Sequence, residues 1–299
     1  VAGVLSLAEA IRVVWHRGRI MQEATGLGRM ASVGLSAEAA ARLVQPYGEQ
    51  LSVAAINGPR SVVLSGQATA VEAALAILTA RDVGHCMLPV QYAFHSAQMA
   101  PFQKRLADAL AGLRGGAPRV PVYSTVTGAL LGGEPVGAAY FGRNVREPVR
   151  FADAMVAMAD DDFDVFVEIG PHPVLAAAIN ECLDAREPAP QVLASLRRGR
   201  PERETLLQAC AGLYAAGLSP AWDVVQPWAG RVVALPAYPW QRKRHWIRQR
   251  PQASAPQGKA TGHPLLGRRL PTAGSRVRIF QASAEQAHAW LADHRIFGK

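Results

Sequence analysis

Between Gly28 and Tyr92 the hydrophobic pattern changes period from one short segment to the next, and few folds can satisfy such switching in so little chain. Met30–Val33 reads as a strand and Ser36–Val44 as a helix. Leu51–Ile56 and Ser61–Leu64 read as strands on either side of the turn Asn57-Gly58-Pro59. Thr69–Ala80 carries Val71, Leu75 and Leu78 at helical spacing, and Cys86–Tyr92 closes the stretch as a last strand. The order is β-α-β-β-α-β, which is the split-βαβ, ferredoxin-like arrangement.

The flanks follow another rule. Ser6-Leu7-Ala8-Glu9 forms a capping box and opens a helix reaching about Ala24. Leu7, Ile11, Val14 and Met21 fall on its packing face, and Arg12, Arg19 and Gln22 on the other. After Tyr92, residues Met99, Phe102, Leu106, Leu110 and Leu113 make one helical stripe. A short strand near Val120–Ser124, a Gly-rich turn and a helix over about Val149–Ala159 are expected next. Asp164–Ile169 is a nearly continuous apolar strand that runs into Gly170-Pro171 and a helix with Pro173 in its first turn, where the missing N–H costs nothing. Strands alternating with helices imply a parallel α/β body into which the ferredoxin-like unit, residues 28–92, is inserted. Residues 186–257 read as linker with one clear helix, Arg203–Ala216, and a new segment spans 262–299.

Composition narrows the class of function. Hydrophobic residues make up 49% of the 299, enough for real cores, yet no run approaches the roughly 18 apolar residues of a membrane span. Cys86, Cys182 and Cys210 lie far apart, which suggests neither disulfides nor a thiolate metal site and fits a reducing cytoplasm. The opening Val1-Ala2-Gly3 follows no basic stretch, so it is not read as a secretory signal, and it suggests a piece of something longer. Net charge is +9, but residues 196–250 alone hold ten Lys or Arg against three acids. Four of the six tryptophans, Trp222, Trp228, Trp240 and Trp246, fall in that same stretch. Aromatic residues and arginine are what protein interfaces select, so a linker pinned to neighbouring domains is expected rather than a nucleic-acid site.

Of the eight histidines, His95 stands out, because Val90-Gln91-Tyr92-Ala93-Phe94-His95-Ser96 places it just past a strand end, where α/β folds present catalytic groups. Spacing alone leaves it either a general base or a satisfied structural histidine. No G-x-S-x-G elbow accompanies it, since Ser65 in Val63-Leu64-Ser65-Gly66-Gln67 lacks the preceding glycine. Arg17, beside Trp15 and Met21, is either a surface or ion-paired arginine or a bidentate clamp for a carboxylate.

Six motifs occur in order: Val1-Ala2-Gly3-Val4-Leu5-Ser6-Leu7, Asn57-Gly58-Pro59, Tyr92-Ala93-Phe94-His95-Ser96, Ser124-Thr125-Val126-Thr127-Gly128, Pro148-Val149-Arg150-Phe151 and Val167-Glu168-Ile169-Gly170-Pro171-His172-Pro173-Val174-Leu175. Over residues 1–185 the chain resembles the acyltransferase domain of modular type I polyketide synthases. Leu235-Pro236-Ala237-Tyr238-Pro239-Trp240-Gln241-Arg242 resembles the linker that follows such domains. His263-Pro264-Leu265-Leu266-Gly267 and the segment from Trp290 to Gly298 resemble the start of a dehydratase domain.

The resemblance implies an α/β-hydrolase-like body with an inserted ferredoxin-like subdomain, then linker, then the first strands of a hot-dog-type domain. It implies that a serine in a G-H-S-x-G elbow takes a malonyl-type extender from acyl-CoA and passes it to the phosphopantetheine thiol of an acyl carrier protein. His95 matches the general base, and Arg17 matches the arginine that holds the extender's free carboxylate. A backbone carbonyl near Gly170 to His172 would fix the His95 ring. Tyr92-Ala93-Phe94-His95 is a hybrid of the family's H-A-F-H and Y-A-S-H motifs; Phe94 would fill the space of an α-methyl and favour malonyl-CoA, with methylmalonyl-CoA or relaxed choice as the alternative. In the family the serine elbow and the first oxyanion-hole element precede the Val1 motif, so the chain alone is expected to be inactive. His294 would be the dehydratase base in an incomplete site. Expected partners are the carrier protein and adjacent domains, ketosynthase upstream and dehydratase downstream, with no metal, nucleic acid or membrane. A further alternative is a scaffold piece whose Arg242 and Arg244 dock an acidic carrier.

Overall fold

The structure is a computed structural model that describes residues 2–228, 230–231, 233–243, 245, 258–263, 266–272, 274 and 276–282. It divides into two compact units, Val1–Ala229 and Gly230–Lys299.

Helix α1 (Leu7–Gln22) starts at the capping box: the Glu9 N–H donates to Ser6 Oγ at 3.3 Å and the Ser6 N–H to Glu9 Oε2 at 2.8 Å. Its packing face is not the one expected. Val13 and Ile20 are buried, whereas Leu7, Ile11 and Val14 are 77%, 59% and 70% exposed. Arg12 explains the rotation. Still exposed, its guanidinium reaches back to donate to the carbonyls of Ala109 and Ala111 at 2.8 and 3.2 Å, at the end of a later helix, which ties α1 to that helix with the Val13–Ile20 side inward.

The chain then runs β1 (Arg29–Val33), α2 (Ala37–Val44), a 3₁₀ turn, β2 (Leu51–Gly58), β3 (Ser61–Gly66), α3 (Ala68–Ala80) and β4 (His85–Met87). The strands pair antiparallel in the order β4-β1-β3-β2. Ala31, Val33, Leu51, Val62 and Leu64 of the sheet close on Ala40, Val71, Ala74 and Leu78 of the two helices, while Met30, Ala54, Ala55 and Val63 of the same strands form a second, smaller cluster. The last strand is shorter than expected. After Met87 the chain makes one more bond to β1, Leu88 N–H to Met30 O, and then turns away to reach His95.

Beyond β4 come a 3₁₀ turn (Ala97–Met99), α4 (Ala100–Ala109), the short strands β5 (Tyr123–Ser124) and β6 (Ala129–Leu130), and α5 (Ala138–Arg146). The expected stripe of Met99, Phe102, Leu106, Leu110 and Leu113 is buried, and it packs with Val13, Ile20 and Ala24 of the α1 region and Val145 of α5. Helix α5 occupies part of the stretch that reads as a Gly-rich turn. Gly142 lets it lie close on α4, since a Cβ there would sit 3.2 Å from the Gln103 carbonyl oxygen.

β7 (Val149–Arg150) extends the first sheet by pairing parallel with β2, and α6 (Phe151–Asp160), β8 (Val165–Glu168) and α7 (Ala176–Leu183) follow. Pro173 lies before α7 and not in its first turn: the Glu168 carboxylate accepts from the N–H groups of Val174 and Leu175 and shapes an extra loop there. β9 (Gln191–Ala194) pairs parallel with β8, so a strand occurs where linker is expected. Helices α8 (Glu202–Ala215) and α9 (Trp222–Val225) complete the unit; Trp222 packs edge-on against Tyr214, and Arg203 lies over the Trp228 ring at 4.7 Å. The second unit contains a three-stranded antiparallel meander, β10 (Lys259–Ala260), β11 (Arg268–Leu270) and β12 (Ile279–Gln281). His294 and Arg244 lie outside the described residues.

Candidate active site

His95 sits in a tight turn at the end of the segment leaving β4. Its φ of +59° is in the left-handed region, which a residue with a Cβ enters only where its surroundings hold it. Three bonds do so. The buried Ser96 hydroxyl donates to Ala93 O at 2.6 Å, the His95 N–H donates to Val145 O at 3.1 Å, and His95 Nδ1 lies 2.8 Å from Glu147 O. A carbonyl only accepts, so Nδ1 carries the proton and Nε2 keeps its lone pair for an incoming one.

The carbonyl that fixes the ring therefore belongs to Glu147, and the expected source near Gly170–His172 is overturned. That loop is tied elsewhere: Ser195 Oγ accepts from Gly170 N–H at 3.0 Å and donates to Gly170 O at 3.2 Å, and His172 Nδ1 accepts from the Arg198 N–H.

Arg17 projects from the buried side of α1, one turn from Val13 and beside Ile20. Its Nη1 donates to Asn144 Oδ1 at 2.7 Å and its Nε to Met21 Sδ at 3.3 Å. Among the described residues no carboxylate pairs with it. Burial lowers its pKa without neutralising it.

His95 and Arg17 are close enough to feel each other. Burial is the largest cause that holds the imidazole below its ordinary pKa; the Glu147 carbonyl opposes this, and the Arg17 charge adds to the lowering. The ring is thus neutral at physiological pH.

Phe94 stacks on Tyr92 with ring centroids 3.8 Å apart and planes 20° from parallel. Phe94 touches both the helical core and the smaller cluster of Met30, Ala54, Ala55 and Val63, so it sits at the seam between the sheet and the helices.

The structure thus brings His95, Arg17, Tyr92 and Phe94 into one region. Asn144 and Glu147, not anticipated from the sequence, supply the acceptors that hold the first two. Among the described residues there is no His/Cys/Asp/Glu group that could hold a metal, and no helix is long and apolar enough to cross a membrane.

Comparison with known proteins gives this arrangement its family. The acyl transferase domain family matches residues 1–220, and the polyketide synthase dehydratase domain family matches residues 263–299. The chain is 40% identical to the spectinabilin polyketide synthase system protein NorA' of Streptomyces orinoci over 99% of its own length and 8% of that protein's. It is 33% identical to the mycoketide-CoA synthase of Mycobacterium tuberculosis over 99% of its length and 7% of that protein's. The acyltransferase domain from the second module of the salinomycin polyketide synthase matches with a TM-score of 0.70 at 37% identity, over 74% of this chain and 52% of that one. The chain thus spans a small part of its curated relatives and about half of that solved domain. The fold is of the acyltransferase class. The chain belongs to the acyltransferase domain family of modular polyketide synthases, with the beginning of a dehydratase domain after it.

Proposed function

We propose that this chain contributes the base and the carboxylate clamp of a site that moves a malonyl-type extender from acyl-CoA to the phosphopantetheine thiol of an acyl carrier protein. The observation that carries the reading is the joint suspension of His95 and Arg17 from the end of α5: a neutral imidazole with a free Nε2 and an uncompensated guanidinium lie within electrostatic reach.

Nε2 takes the proton of a serine hydroxyl as that oxygen attacks the thioester carbonyl. The C–S bond breaks, and the imidazolium returns the proton to the departing CoA thiolate. In the second half the carrier thiol gives its proton to Nε2, attacks the acyl-serine, and the serine oxygen leaves with the proton. Arg17 binds the extender's carboxylate in both halves, because a planar guanidinium offers two parallel donors to it. No G-x-S-x-G motif occurs in the 299 residues, so the chain by itself is proposed to be inactive. The four-stranded unit with its two helices is read as the ferredoxin-like subdomain, and the strands after residue 258 as the start of a hot-dog fold in which His294 is the dehydratase base.

Phe94, pinned by Tyr92, favours malonyl over methylmalonyl. In a synthase module containing this chain, His95→Ala lowers transfer of radiolabelled malonyl to the carrier by about 10²- to 10⁴-fold. Arg17→Ala removes the preference for carboxylated acyl-CoA, and Phe94→Ser raises methylmalonyl relative to malonyl transfer. Wild-type rates in the His95 variant would end the assignment. Covalent acylation of the 299-residue chain alone would end the claim that it is inactive.

A further inference from the structure

We propose that Asn144 is a positioning residue that makes the site selective for carboxylated acyl groups, by holding Arg17 with an acceptor that carries no charge. The inference deepens the proposed function and rests on Arg17 being the carboxylate clamp.

Arg17 reaches the site from α1, a long, flexible side chain with several rotamers to lose. Two contacts fix it. The Met21 sulfur, one turn along the same helix, is a weak acceptor, so the strong one is Asn144 Oδ1 at 2.7 Å, contributed by α5. An aspartate of the same shape would hold the guanidinium equally well, but it would complete an ion pair and leave little positive charge for a ligand. The neutral amide orients Arg17 and leaves its charge to be met by an incoming carboxylate. Asn144 also precedes Val145, whose carbonyl holds the His95 backbone, and lies three residues before Glu147, whose carbonyl holds the ring. The end of α5 therefore sets the distance between clamp and base.

The test compares malonyl-CoA with acetyl-CoA, by kcat/KM for acyl-CoA turnover in a synthase module that contains this chain. The variants are Asn144→Ala, Asn144→Asp and Arg17→Ala. Asn144→Ala should lower the malonyl-to-acetyl ratio about tenfold, chiefly through the KM for malonyl-CoA, as expected for one lost hydrogen bond to a charged group. Asn144→Asp should lower it by about tenfold more, because the new carboxylate competes with the substrate's, while thermal unfolding stays at or above the wild-type temperature. A merely structural role would be satisfied by the isosteric aspartate, so a wild-type ratio in Asn144→Asp overturns the proposal, as does an equal fall for both substrates in Asn144→Ala. Should the alanine variant fail to fold, the aspartate variant decides. If Arg17→Ala itself leaves the ratio unchanged, the carboxylate-clamp reading fails. If Arg17→Ala collapses the ratio and both Asn144 variants keep it, only the role of Asn144 fails.

Discussion

The sheet of β1–β4 with α2 and α3 and the layer of α1, α4 and α5 are alike in size of core but differ in what orders them. In the first, each element's apolar face follows from its own period, and the backbone ladders of one sheet join all four strands. In the second, the determining bonds join residues far apart: Arg12 to the end of α4, Arg17 to Asn144, His95 to Val145 and Glu147. Self-consistent local patterning builds the frame, and long-range polar bonds to backbone and amide groups build the site. The lesson is one of division of labour: the unit with the more regular core carries no site residue, and the irregular layer carries Arg17 and His95.

Two core substitutions test that division most strongly. Leu64 of β3 and Leu106 of α4 are fully or almost fully buried. Replacing either by alanine should cost about 2–5 kcal/mol in denaturant unfolding. They should part company at the site. Leu106→Ala loosens α4, on which α5 lies, and should shift the NMR signals of the His95 ring; Leu64→Ala should leave them in place. Equal shifts from both would show that the two regions are mechanically one.

Two serines sharpen the comparison at smaller cost. Ser36 caps α2 by accepting from the Ala39 N–H at 3.2 Å, so Ser36→Ala should cost about 1 kcal/mol and do nothing else. Ser96 is buried, closes the turn onto Ala93 O and accepts from the Gln98 N–H. Ser96→Ala should cost about 1–3 kcal/mol, since it strands a buried acceptor. It should also relax the left-handed His95 backbone and lower acyl transfer in the synthase. Unchanged transfer at reduced stability would mean that the turn is held by the Val145 and Glu147 bonds alone.

The same contrast explains what could be read in advance. The order of elements from β1 to β4 was legible because period, turn chemistry and burial agree there. His95 and Arg17 were legible as members of sequence motifs. Their holders were not. Glu147 acts through a main-chain carbonyl, which every residue possesses, and Asn144 meets a partner 127 residues away. The helix that carries Asn144 is hidden too: α5 is preceded by Gly137, and Gly142, Asn144 and the adjacent aromatics Tyr140 and Phe141, none of them a strong helix former, interrupt its alanines and arginines. It is held by burial of Val145, by contact of Gly142 with α4, and by Arg143, which bridges Glu134 and Glu147 at 2.5 and 3.2 Å. The buried face of α1 is not legible for a similar reason. Two apolar stripes share that helix, and the buried one is set by distant partners: packing on α4 and α5 and the bonds from Arg12 and Arg17 to them.

The smallest predicted effect concerns protons. The neutral His95 imidazole is preferred in the folded chain, first because it is buried and also because Arg17 is near, so its pKa lies below the ordinary value of about 6.5. The unfolded chain therefore takes up a proton on this residue before the folded one does as pH falls. The stability that His95 contributes is present above about pH 6.5 and is lost as pH drops through that value toward the folded pKa. Arg17→Met removes the positive charge but not the burial. It should move the His95 titration, followed by the ring Cε1–H NMR signal, back upward by part of the total shift, with the acid limb of acyl transfer in the synthase moving the same way. A downward move, or none, would mean that Arg17 and the imidazole do not share one electrostatic environment, and the site would then be two separately held groups instead of one.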